Sequence, residues 1–182
     1  MSSPELSDQH LWVSWDEYHR KIEQLAVLVH ESGWQFDQIL CLARGGVRPG
    51  DVLSRVFDVP LAIMATSSYR EQAGTVQGRL DIARHITQTR ESLGGRLLIV
   101  DDLVDSGATL QTVVEVIRQR FPAVTEVKVA AIWQKACSKV TPDYVVDYLQ
   151  TNPWIHQPFE IYDTMRPSQL LERFRSNSAE QA

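Results

Sequence analysis

The chain has 182 residues, 43% of them apolar and 23% charged, with a net charge of −5 and two cysteines. That balance describes a globular chain able to bury a sizeable core, and its acidic sign excludes a global basic field that would gather nucleic acid or anionic membrane. No apolar run approaches the roughly 20 residues that cross a bilayer, and the opening MSSPELSDQH lacks a basic-then-apolar leader, so a cytoplasmic protein with no membrane span is expected.

Residues 1–12 read as a loose arm. Ser14-Trp15-Asp16-Glu17 is a capping box, with Ser at the N-cap and Glu at the third helical position. Behind it Tyr18, Ile22, Leu25, Ala26 and Val29 recur at helical spacing, and Gly33 ends the run. The apolar stretch 38–43 reads as a buried strand that breaks at Arg44-Gly45-Gly46, with a helix over about 49–57 and a strand over 61–66. Residues 69–95 are polar and carry Gly74, Gly78, Gly94 and Gly95; the expectation there is a mobile segment with a weak hairpin at 78–87. A strand at 96–101, a helix over 108–120 and strands at 126–133 and 144–149 complete the pattern. The tail after Met165 has Leu170, Leu171 and Phe174 for one or two amphipathic turns. Cys41 and Cys137 each sit in an apolar stretch and are expected to be buried free thiols.

Strands alternating with helices predict an α/β fold with a mainly parallel sheet flanked by helices on both faces. Ligands bind beyond the carboxyl ends of the strands in such sheets. The charged breaks at Arg44 and Asp101 both fall at strand carboxyl ends, so the fold is expected to gather them at one edge.

The stretch 97–110, LLIVDDLVDSGATL, runs a buried strand into Asp101 and Asp102, then into Asp105-Ser106-Gly107-Ala108-Thr109 at the start of a helix. Free N–H groups at a helix start attract phosphate, Ser106 and Thr109 add hydroxyl donors, and Gly107 allows close approach. No Lys of the G-x-x-x-x-G-K-[ST] type follows, so this is not a nucleoside-triphosphate loop. Adjacent carboxylates would repel a phosphate, but they suit hydroxyl groups or an intervening metal ion; a ribose 5-phosphate satisfies both halves. This stretch resembles the 5-phosphoribosyl-1-pyrophosphate (PRPP) signature of the type I phosphoribosyltransferases, with Ser106 where Thr is usual.

The resemblance extends over about residues 12–162 and implies a flexible hood loop at 67–95 and a base-recognition region at 133–162, while the chain length fits a single domain over 1–182 with an arm at 1–12 and a tail at 165–182. It implies a Rossmann-like sheet with PRPP held by Asp101, Asp102, Asp105, Ser106, Gly107, Ala108, Thr109, Arg44, Gly45, Gly46, Ser68 and Tyr69. Ala43-Arg44-Gly45-Gly46 resembles the family's pyrophosphate loop, where the Ala43–Arg44 bond would be a non-proline cis peptide. Ser67-Ser68-Tyr69 resembles the start of the hood of 6-oxopurine members. Lys135, Asp143-Tyr144-Val145-Val146-Asp147 and Trp154-Ile155-His156-Gln157-Pro158 resemble the bacterial xanthine–guanine phosphoribosyltransferases. By that resemblance Lys135 donates to the purine O6, Trp154 stacks on the ring and the Ile155 carbonyl meets the 2-position. Asp105 is then the general acid/base near N7, Arg44 stabilises the leaving pyrophosphate, and Asp102 or Asp101 holds Mg²⁺. Two departures stand out: His156 replaces an acid common in that subfamily, and the segment between Ser68 and Gly95 is longer and poorly matched.

The expected reaction joins PRPP to guanine, hypoxanthine or xanthine, giving the nucleoside 5′-monophosphate and pyrophosphate in a homodimer or homotetramer. The alternatives are transfer to a pyrimidine, against which Lys135 with Trp154 argues, and a PRPP-sensing regulator of the same fold, against which the acidic chain argues.

Overall fold

The computed structural model describes residues 10–68, 80–83 and 85–179. In chain order its elements are β1 (His10–Trp12), α1 (Trp15–Glu31), β2 (Gln38–Ala43), α2 (Val47–Phe57), β3 (Leu61–Ser68), β4 (Leu80–Ile82), β5 (Gly95–Val104), α3 (Ala108–Arg120), β6 (Val124–Lys135), β7 (Tyr144–Leu149), β8 (Trp154–His156), α4 (Ile161–Thr164) and α5 (Pro167–Ala179). They fall into two compact units, Arg20–Asn152 and the two chain ends through His19 and from Pro153.

The Arg20–Asn152 unit is the α/β fold that the sequence predicts. Its six-stranded sheet has the order β4-β3-β2-β5-β6-β7. Every pairing is parallel except β3 with β4. β2 and β5 are buried on both faces, which is why their sequences are continuous apolar runs rather than alternating ones. Leu40 and Leu42 join Leu97, Ile99, Leu110, Val113 and Ile117 in one core layer under α3. Cys41 points the other way: a Cβ added at Gly50 of α2 would lie 2.6 Å from the Cys41 Cβ, so glycine lets α2 approach the sheet closely. The chain leaves β2 for β3 on one side, while β5 lies on the other. The loops after β2 and β5 therefore flank the point where strand order reverses, the place where such sheets open a crevice.

Several expectations change in detail. β5 continues through Asp101, Asp102, Leu103 and Val104, paired with β6 as far as Val104↔Gln134. Asp102 therefore sits within the strand, as Asp101 was expected to. β6 likewise runs through Lys135, which is its last residue. Among the described residues of the expected 78–87 hairpin, β4 pairs with β3 instead, Ser68 opposite Leu80, and Thr87 bridges Ile63. A long strand edge outcompeted the local turn. Tyr69 lies outside the described residues.

The unit of the chain ends contains more order than the sequence suggested. Residues 10–12 are no loose arm: β1 pairs in parallel with β8, His10 opposite Trp154 and Trp12 opposite His156. Ser14 caps α1 as expected, its Oγ accepting from the Glu17 N–H at 3.2 Å. Tyr18 is buried edge-on against Phe159. The tail forms the 13-residue helix α5 rather than one or two turns. No helix of the described residues is long and apolar enough to cross a membrane.

Candidate active site

Two loops meet at the carboxyl ends of β2 and β5. The Ala43–Arg44 peptide bond is cis, as the family resemblance implies. Directly after it, Gly45 faces the Asp102 carboxylate so closely that a Cβ on Gly45 would overlap it. A Cβ on Gly46 would overlap the Val100 carbonyl and come within 2.8 Å of the Leu42 carbonyl. The two glycines thus let the first loop press onto the acidic end of β5. The Gly46 N–H donates to Leu42 O at 2.8 Å, so Gly46 contributes close approach rather than an amide for a ligand.

Asp101 and Asp102 are adjacent, and the Asp102 N–H donates to Asp101 Oδ1 at 2.9 Å. Part of residue Asp101 meets solvent, yet its carboxyl group is desolvated. That burial, and then the Asp102 charge, push Asp101 well above the ordinary carboxylate range. In the ligand-free protein Asp101 holds a proton more readily than an exposed Asp. Two carboxylates offer the hard oxygen donors that Mg²⁺ takes. Among the described residues no group of three His, Cys, Asp or Glu could hold a metal. The pair therefore suits a cation completed by water and substrate oxygens, not an all-protein cage, and Asp102 with Asp101 fit Mg²⁺ in that sense.

The second loop opens α3. Gly107 has φ 82°, a left-handed conformation that glycine tolerates. Ser106 Oγ accepts from the Ala108 N–H at 3.4 Å, and Ser106 and Ala108 are exposed with Thr109 half-buried. The 136–140 loop lies against this turn: the Lys139 N–H donates to Ser106 O at 3.1 Å, and a Cβ on Gly107 would come 2.9 Å from Ser138 Oγ.

Lys135 closes the arrangement. It is buried, and its Nζ lies 3.5 Å from Asp105 Oδ1. Strand β6 carries it there from the core, next to Trp133 and Gln134, which are also buried. β7 is fixed alongside by Asp143, which accepts from the Val129 N–H at 2.8 Å, and by Asp147, paired with Lys21 at 2.5 Å. Those contacts give the Asp143–Asp147 stretch a structural purpose. The structure thus places Arg44, Gly45, Gly46, Asp101, Asp102, Asp105–Thr109 and Lys135 in one unit, at one sheet edge.

The sequence reading missed Cys137. Expected to be buried, it is exposed, and its Sγ donates to Asp105 Oδ1 at 3.5 Å. The strand ends at Lys135, so the apolar run that suggested burial stops short of it. No pattern near residue 137 marks it, because it sits in the turn after β6 rather than in extended chain. Cys41 is buried as expected, and burial first of all pushes its thiol up to about 12.

The remaining residues expected to recognise the base belong to the other unit. Trp154 is 49% exposed and Ile155 is 4% exposed, so β8 presents the indole and buries the isoleucine. His156 stacks on Trp12 with ring centroids 3.7 Å apart and shares a 2.8 Å hydrogen bond with His10. A cavity of about 600 Å³ bordered by Arg20, Glu23, Val27, Leu28 and Asp147 contains none of the residues that carry chemistry, so concavity alone does not locate the site.

A sheet of this order, a glycine loop pressed on an acid pair, and a small-residue turn opening the next helix define a phosphoribosyl-transfer scaffold. Residues 14–164 match the family described as phosphoribosyl transferase domain, and the chain belongs to that family as a phosphoribosyltransferase enzyme. It is 31% identical over 159 residues to a xanthine-guanine phosphoribosyltransferase of Idiomarina loihiensis, covering 86% of this chain and 90% of that protein. A crystal structure of a purine phosphoribosyltransferase from Pyrococcus horikoshii Ot3 superposes with TM-score 0.68 at 31% identity, covering 83% of this chain and 94% of that one. A Helicobacter pylori xanthine-guanine-hypoxanthine phosphoribosyltransferase shares the fold with TM-score 0.65 at 23% identity, covering 86% and 100%.

Proposed function

We propose that this enzyme transfers the 5-phosphoribosyl group of PRPP to a 6-oxopurine, yielding the nucleoside 5′-monophosphate and pyrophosphate. The observation that carries this reading is the Lys135–Asp105 pair at 3.5 Å beside the PRPP turn, with Lys135 buried. A buried ammonium that donates only, set next to a carboxylate that accepts, is complementary to a base presenting a carbonyl beside a ring N–H. Adenine, with an amino group in place of that carbonyl, leaves Lys135 facing a donor. The same polarity in the named relatives' substrates, xanthine and guanine, supports the assignment.

In this reading the sugar phosphate sits on the turn 106–109 and the ribose hydroxyls donate to Asp101 and Asp102. The C1–O bond breaks with its electron pair leaving on pyrophosphate, and the purine N9 lone pair forms the new C1–N bond. Asp105 accepts the purine proton at N7. Arg44 meets the charge that develops on the departing pyrophosphate. Asp102 and Asp101 would hold Mg²⁺, which would supply positive charge toward the leaving pyrophosphate. Trp154 offers an exposed ring face for stacking, and Ile155 a carbonyl for the 2-position. A cytoplasmic homo-oligomer is the setting we assign.

The test is stoichiometric. Purified enzyme with PRPP, Mg²⁺ and guanine, hypoxanthine or xanthine should release pyrophosphate and nucleotide one for one. PRPP that raises the melting temperature while no base turns over would contradict the transferase reading and favour the PRPP-sensing one.

A further inference from the structure

Resting on the assignment of Asp105 as the general acid/base, we propose that Cys137 is a positioning residue that orients the Asp105 carboxylate for proton transfer. Cys137 Sγ lies 3.5 Å from Asp105 Oδ1 and 3.7 Å from Asp105 O, while Lys135 Nζ reaches the same Oδ1 at 3.5 Å. One carboxylate oxygen is therefore gripped from two sides by groups two residues apart in the chain. The grip has a rigid base. The Cys137 N–H donates to Asn152 Oδ1 at 3.2 Å, the Ala136 N–H to Leu149 O at 2.9 Å, and the Ser138 N–H to Lys135 O at 3.0 Å. On the other side the Lys139 N–H ties the same loop to Ser106 O. The turn 136–139 is thus fixed to β7 and to the PRPP turn at once, and Cys137 sits between them.

The chemistry of the thiol suits this task. Local desolvation, then the hydrogen bond and charge of Asp105, push Cys137 above its ordinary value, so at neutral pH it is a protonated donor rather than a thiolate. A thiol is a weak donor, which holds the carboxylate's direction without competing strongly for its proton. Its exposure leaves the fold indifferent to its removal.

The test is a kinetic cycle on the full-length enzyme with saturating PRPP, Mg²⁺ and 6-oxopurine. Cys137→Ala should lower kcat about 3- to 10-fold, the range for one modest hydrogen bond, with the KM for PRPP within about twofold of wild type and an unchanged melting temperature. Cys137→Ser, which restores a donor, should recover most of the lost kcat. In an Asp105→Ala background the Cys137→Ala change should cost nothing further, because the two act as one unit. Wild-type kcat in Cys137→Ala, or a full additional loss in the Asp105→Ala background, overturns the inference. Asp105→Ala with undiminished kcat would instead remove the acid/base assignment itself, so the two failures are distinguishable.

Discussion

At the carboxyl ends of β2 and β5, backbone meets backbone and carboxylate. Gly45 abuts Asp102, Gly46 abuts the Val100 and Leu42 carbonyls, and Asp101 loses much of its solvent. Strand β8 is built differently. Its pairing with β1 leaves Trp154 half exposed, and its neighbour contacts are ring stacks and imidazole hydrogen bonds. The first region holds its shape through positions where no other side chain fits. The second holds its shape through the backbone ladder of β8 with β1 and through ring contacts among its side chains. In the proposed function the first region serves the sugar phosphate and the second serves the base.

Substitutions can break this contrast or sharpen it. The largest effect belongs to Asp105→Ala, which should lower kcat by about 10²- to 10⁴-fold, the span of general acid/base catalysis, while PRPP binding measured by calorimetry changes little. A large loss of PRPP affinity with kcat preserved would move Asp105 out of the acid/base role. Gly46→Ala should come next. Its Cβ meets main-chain carbonyls that cannot turn aside, so destabilisation of about 1–3 kcal/mol is expected, seen as a lower melting temperature even without ligand. Trp154→Ala should be gentler, raising the KM for the base about 2- to 10-fold without disturbing PRPP binding, because the indole is exposed. A collapse of stability in Trp154→Ala would erase the distinction between the regions.

The smallest effect sharpens the comparison most. Asp101 is raised by burial and by Asp102, so the folded, ligand-free protein keeps that proton at a pH where the unfolded chain has released it. Stability must then fall as pH rises from near 4, the ordinary value for an aspartate, up to the raised value in the fold. Asp101→Asn removes that dependence. It should melt a few degrees higher than wild type at neutral pH and bind PRPP with Mg²⁺ more weakly. Melting curves across pH 4 to 9 check the first half and calorimetry the second.

The sheet, and the edge where Arg44–Gly46 meet the acidic end of β5, were largely legible in the sequence because their constraints are local. A strand buried on both faces must be a continuous apolar run, and a glycine pair pressed on an acid pair leaves those residue types in a row. The limits of β5 and β6 were harder, since Asp102 and Lys135 are charged residues drawn into strands by their partners' hydrogen bonds. β1, β4 and β8 were missed for the same reason. Each is three residues long, too short for periodicity, and exists only through pairing with a distant segment. The contact of Cys137 with Asp105 spans 32 positions and follows from the turn after β6, which no pattern near residue 137 announces. The pairing of Lys135 with Asp105 is likewise tertiary, although each residue was marked separately by its own motif.

The most direct test of the central claim is the base preference of the wild-type enzyme and of Lys135→Ala, measured as kcat/KM with PRPP and Mg²⁺ for guanine, hypoxanthine, xanthine, adenine and uracil. The account predicts turnover of at least one 6-oxopurine by the wild type with adenine and uracil silent, and a loss of about 10- to 100-fold on that base in Lys135→Ala, as expected for a hydrogen bond from a charged donor. Turnover of adenine or uracil by the wild type, or an unchanged 6-oxopurine rate in Lys135→Ala, would contradict it.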